Sequence, residues 1–124
     1  MPRLILDASR IHPAVCDKVG NLHAEIVYNV QAATQSNPVL VVGMAGNPFC
    51  RKARRLLDGA GQPHHYLSYG SYVSEWRARN ALKMWTGWPT FPMVFVKGSL
   101  VGGAEDLARL IQSGELKRLL NEAN

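Results

Sequence analysis

The chain has 124 residues, 47% hydrophobic and 19% charged, with 14 Lys and Arg against 9 Asp and Glu for a net charge of +5. That length supports one domain with one core. No apolar run is long enough to span a bilayer, and the opening patch Leu4-Ile5-Leu6 is too short for a signal peptide, which points to the cytoplasm.

The positive balance serves solubility or draws an anion or an acidic protein. Nucleic acid is not expected, because the only basic cluster is Arg51-Lys52-Ala53-Arg54-Arg55 and no recognition motif accompanies it. Cys16 and Cys50 are too few for a disulfide framework. No His or Cys pair has metal-ligand spacing, and no metal site is expected.

In chain order, residues 1–11 are a lead-in that can include an extended segment at Leu4-Ile5-Leu6. Pro13 suits a first helical turn. Apolar residues then recur at helical spacing at Val15, Val19, Leu22, Ile26, Val27 and Val30, with Gly20 placed to split the stretch in two. Cys16 reads as a small apolar side chain or a redox thiol. After Asn37-Pro38, the run Val39-Leu40-Val41-Val42 is typical of a buried strand. Pro48 opens a helix that Gly59 and Gly61 end.

Residues 65–69 form a plausible second strand. A helix follows over 73–84, with Trp76 and Leu82 facing inward. Residues 93–101 read as a hairpin turning at Lys97-Gly98, and helices follow over 105–112 and 115–121. This order predicts an α/β fold. Its mixed sheet has a parallel first strand pair, an antiparallel last pair and helices on both faces.

Pro92 enters the apolar run Met93-Val94-Phe95-Val96, where a proline cannot donate to a ladder. Either it is an ordinary trans proline at a strand start, or a cis Phe91–Pro92 bond turns the local amides outward. Gly102-Gly103-Ala104-Glu105-Asp106 then reads as a helix start, where free amides attract anions.

Together, Trp88-Pro89-Thr90-Phe91-Pro92, Gly102-Gly103 and Gly114-Glu115-Leu116 resemble the glutaredoxins, and most of all their monothiol branch. The resemblance covers residues 22–120. It implies a thioredoxin/glutaredoxin fold with a four-stranded mixed sheet and an extra N-terminal helical segment. The division is residues 1–21 as an extension and 22–124 as the glutaredoxin-like domain.

The resemblance also implies a glutathione groove. Thr90, Phe91 and Pro92 would pair its cysteinyl backbone like an added strand. Gly103, Glu105 and Asp106 would hold the γ-glutamyl end, Arg79 the glycine carboxylate, and Phe49 an apolar wall. Arg79 and Asp106 also have plain readings, as a solvated helix-face charge and a helix-start carboxylate.

The chain departs from the family where the thiol chemistry resides. The dithiol pattern Cys-Pro-Tyr-Cys becomes Asn47-Pro48-Phe49-Cys50, and Met44 stands where the family has a lysine. Asn47 cannot form a disulfide. Cys50 is then either a buried, inert thiol or a catalytic thiol that has taken over the role. The first function expected is a glutathione-binding, glutaredoxin-related protein in thiol–disulfide redox homeostasis. The second is a relative that binds glutathione or a protein, glutathionylated or not, without catalysis. Carriage of an iron–sulfur cluster is disfavoured, because each subunit would need a thiolate where Asn47 stands.

Overall fold

The computed structural model describes residues 4–20, 23–70 and 75–121, with backbone only at 16, 17, 19 and 20. Helix α1 spans Pro13–Gly20, α2 Ala24–Ser36, α3 Pro48–Gly59, α4 Trp76–Thr86, α5 Ala104–Gln112 and α6 Glu115–Asn121. The strands are β1 Val39–Gly43, β2 His65–Ser68, β3 Met93–Val96 and β4 Ser99–Gly102, in the spatial order β2-β1-β3-β4. β1 runs parallel to β2 and antiparallel to β3, and β3 is antiparallel to β4. This is the thioredoxin/glutaredoxin architecture the sequence predicts.

The two-residue period of a strand sorts the core into two layers. Leu40 and Val42 pack with Val30 of α2, Leu82 of α4, Met93 and Phe95 on one face of the sheet. Val39 and Val41 pack on the other with Ala53 and Leu57 of α3, Leu107 of α5 and Leu116 of α6. Full burial of side chains this size is worth about 1.5–3 kcal/mol each. The hairpin turns on Lys97 and Gly98, at φ 48° and 83°. Both lie in the left-handed region that a two-residue turn requires.

Three expectations need correction or limits. Trp76 does not face inward: it is 54% exposed, with the Arg77 guanidinium 5.1 Å from its ring. The buried face of α4 is Ala78, Arg79, Ala81 and Leu82. Trp76 lies six residues before Leu82, roughly 240° around the helix, and so points away from that face. Residues 4–7 join no strand, and Leu4, Ile5 and Leu6 are exposed. Asp7 instead caps a short 3-10 turn at Ala8–Arg10, accepting from the Ser9 amide at 2.8 Å. The readings at Leu22, at residues 73–74 and of the Val19 and Cys16 side chains fall outside the described residues.

At the end of β1, a methyl group on Gly43 would stand 2.8 Å from both Cys50 Sγ and Tyr66 Oη. Glycine is therefore what lets α3 start this close to the sheet. Gly43→Ala is expected to destabilise the protein by about 1–3 kcal/mol in denaturant unfolding, and adding Cys50→Ala should recover part of the loss. An unchanged midpoint in Gly43→Ala would contradict this packing.

Candidate functional site

The site is built where β1 hands the chain to α3 and where β4 hands it to α5. A helix N-terminus carries amides with no intrahelical acceptor. At α3 two of them are satisfied from within: Asn47 Oδ1 accepts from Phe49 N at 2.8 Å and Cys50 N at 3.2 Å. Asn47 is the N-cap residue, in extended conformation at φ −93° and ψ 119°, and only 8% exposed. Pro48, which lacks an N–H, takes the first helical position. In the family pattern this position holds the nucleophilic sulfur. Here it holds a neutral carboxamide that uses the amides a thiolate would draw on.

Cys50 lies one turn in, 1% exposed, in the layer with Val42 and Met44. Burial pushes its thiol above the ordinary range, and a hydrogen bond with the Met44 backbone offsets this in part. Tyr66, across Gly43, is also raised, first by burial and then by the nearby sulfur. A buried, protonated thiol is a poor nucleophile.

The second half of the site is a groove of about 290 Å³. Phe49, Thr90, Phe91, Pro92, Gly103, Glu105 and Asp106 line it, all singled out from the sequence, together with Trp88 and Ala104. The Phe91–Pro92 bond is cis. Phe49 is 55% exposed on the α3 side. Arg79 is not among the lining residues. It is buried, and its Nη1 donates to the Tyr69 carbonyl at 3.0 Å, so the solvated helix-face reading does not hold. Lys83, which the sequence reading passed over, sets its ammonium 5.8 Å from the Phe91 ring centroid.

Charge at the groove is fixed by short contacts. Glu105 is paired with Lys52 of α3, which joins the two helix starts and holds the Glu105 carboxyl below its usual range. Asp106 accepts from the Gly103 amide at 3.0 Å and from Arg109 Nη2 at 3.0 Å. The Gly103 hydrogen bond is the main cause of its lowered pKa. Gly102, at φ 118°, leaves room for this: a Cβ there would stand 2.5 Å from Asp106 Oδ2. Trp88 Nε1 is buried and has no hydrogen-bond partner among the described residues.

Two outcomes follow from these contacts. Replacing the cap by Asn47→Ala should lower stability by about 1 kcal/mol, while Asn47→Asp or Asn47→Ser keeps most of it. Equal melting temperatures across the three variants would refute the cap. Asp106 has a folded pKa below its unfolded value of about 3.9, so its contribution is complete above that value and is lost as the pH falls through the folded one. Its partial exposure limits the effect to under about 1 kcal/mol. Wild type should therefore lose more stability than Asp106→Asn between neutral and acid pH in urea melts; parallel curves would remove Asp106 from the account.

A family model described as Glutaredoxin matches residues 39–101. A "Glutaredoxin-like protein" of Dictyostelium discoideum is 42% identical over 98 residues, covering 79% of this chain and 80% of that one. "Monothiol glutaredoxin-4" of Schizosaccharomyces pombe is 27% identical over 101 residues, covering 80% of this chain but 41% of that longer protein. Among solved structures, a buckwheat glutaredoxin–glutathione complex superposes with a TM-score of 0.71, covering 81% of this chain and 91% of that one. At 24% identity that likeness speaks for the fold alone. The family model and the Dictyostelium relative go further: the chain belongs to the glutaredoxin family.

Proposed function

We propose that this protein binds glutathione, or the glutathionyl group of a modified protein, in the groove between Thr90–Pro92 and the start of α5, and does not use Cys50 as a redox nucleophile. The observation that carries this reading is the Asn47 cap. The position before Pro48 holds an amide oxygen already bonded to the α3 backbone, and the Cys50 sulfur is buried in the core.

The groove itself offers the groups a γ-glutamyl tripeptide needs. The backbone at Thr90 and Phe91, just before the cis proline that leads into β3, would pair with the ligand backbone. The N-terminus of α5 suits a carboxylate, and the ionised Asp106 suits an ammonium. For the glycyl carboxylate, Arg79 would have to leave the Tyr69 carbonyl, and Lys83 beside Phe91 is the alternative cation. Membership of the glutaredoxin family supports the choice of ligand.

An iron–sulfur cluster does not fit this donor set. Asn47 offers no thiolate at the groove, and the Cys50 sulfur is buried away from solvent.

Calorimetric titration with reduced glutathione should give saturable binding, weakened about tenfold or more in Asp106→Ala, which removes a charge-assisted hydrogen bond. In reduction of a glutathione mixed disulfide, wild type and Cys50→Ala should both run at the uncatalysed rate. Asn47→Cys, which places a thiol on the freed amides, should accelerate it at least about tenfold. Wild-type turnover abolished by Cys50→Ala would overturn the proposal and restore Cys50 as the catalytic thiol.

A further inference from the structure

We propose that the exposed face of α3 beside Pro48 is a docking surface for an acidic segment of a partner protein. A cleft of about 500 Å³ lies there, lined by Pro48, Arg51, Lys52, Arg55 and Leu56. It begins at the residue next to Phe49, whose exposed ring lines the groove on the other side. The two features therefore adjoin, but the cleft argument does not depend on what the groove binds.

The charge pattern works against the helix. Arg51 and Arg55 are four residues apart on one face, where like charges repel. Arg51 also lies near the N-terminus of α3, the positive end of its dipole. Lys52 has Glu105 as counter-charge, and Arg54 lies 4.3 Å over the Tyr66 ring. Arg51 and Arg55 have no carboxylate partner among the described residues. Among the described residues no carboxylate offsets their repulsion, so both guanidinium groups are open to an anionic partner.

The shape selects the kind of partner. Two guanidinium groups above an apolar floor of Pro48 and Leu56 match a peptide that carries carboxylates beside an apolar side chain, since arginine grips carboxylates bidentately. The exposed Phe49 ring supplies an aromatic anchor next to the charges, a residue type enriched at protein interfaces. Single-stranded nucleic acid would want aromatic stacking platforms along a longer basic track, and the cleft holds no aromatic ring. The arginines are about 6 Å apart along the helix axis, a reach suited to neighbouring side chains of one short segment.

The test uses the full chain and fluorescence anisotropy with three labelled probes. These are a short peptide of Asp and Glu around a Leu-Phe pair, its Asn/Gln counterpart, and an oligothymidylate. The acidic peptide should bind best, and its affinity should fall as salt is added. Arg51→Glu should weaken it about tenfold or more. Lys117→Glu, the same charge change on α6, should alter it by less than about twofold. Arg51→Glu should also raise the melting temperature, because it replaces a repulsive pair by an attractive one and suits the dipole. Arg55→Gln, which deletes a charge without reversing it, repeats the test in case Arg51→Glu does not fold. Three outcomes would overturn the proposal: no binding of the acidic peptide, equal loss in Arg51→Glu and Lys117→Glu, or oligothymidylate bound as tightly as the acidic peptide.

Discussion

One hydrogen-bonded turn governs how this protein differs in chemistry from the pattern it is built on. The Asn47 carboxamide accepts from the amides of Phe49 and Cys50, and so closes the N-terminus of α3 on itself. A thiolate in that place would take the same amides and be stabilised as an anion. A carboxamide takes them and stays neutral. The substitution thus keeps the mechanical part of the position, which starts the helix, and drops its acid–base part. The Cys50 sulfur is buried beneath the same turn, close to Gly43 and Tyr66.

The rest of the architecture holds two helix starts against one sheet edge. Alternation along β1 commits one face to α2 and α4 and the other to α3, α5 and α6. With α3 and α5 on the same face, the Lys52–Glu105 pair ties their starts together. Asp106 does the corresponding work at α5, reaching back to the Gly103 amide much as Asn47 reaches forward at α3. The difference is charge: the α5 cap is a carboxylate held ionised, the α3 cap an uncharged amide.

Much of this was legible in the residues. The buried run at 39–42, the Lys97-Gly98 turn and the break near Gly20 follow from periodicity and turn chemistry, and the parallel first pair and antiparallel last pair follow from the βαβ and hairpin connections. Most of the groove residues came from the resemblance around Pro89 to Pro92 and Gly102-Gly103, which stands on local backbone demands. What escaped depends on distance in space. Trp76 was misplaced because its orientation depends on where α4 begins, and helix boundaries are the least certain part of a sequence reading. The burial of Arg79 against the Tyr69 carbonyl joins two elements that no local pattern connects. The capping role of Asn47 did have a signal, since asparagine before proline at a helix start is a favoured N-cap pairing.

The Asn47–Pro48 step has a last consequence, for chemical ageing. Asparagine side chains in proteins slowly cyclise when the following backbone nitrogen attacks the carboxamide carbon, and the ring then opens to aspartate or isoaspartate. Proline's ring nitrogen has no hydrogen to lose and cannot close that imide. With Pro48 as its neighbour, Asn47 is shielded from this route, and the uncharged cap of α3 is spared the commonest path to a carboxylate.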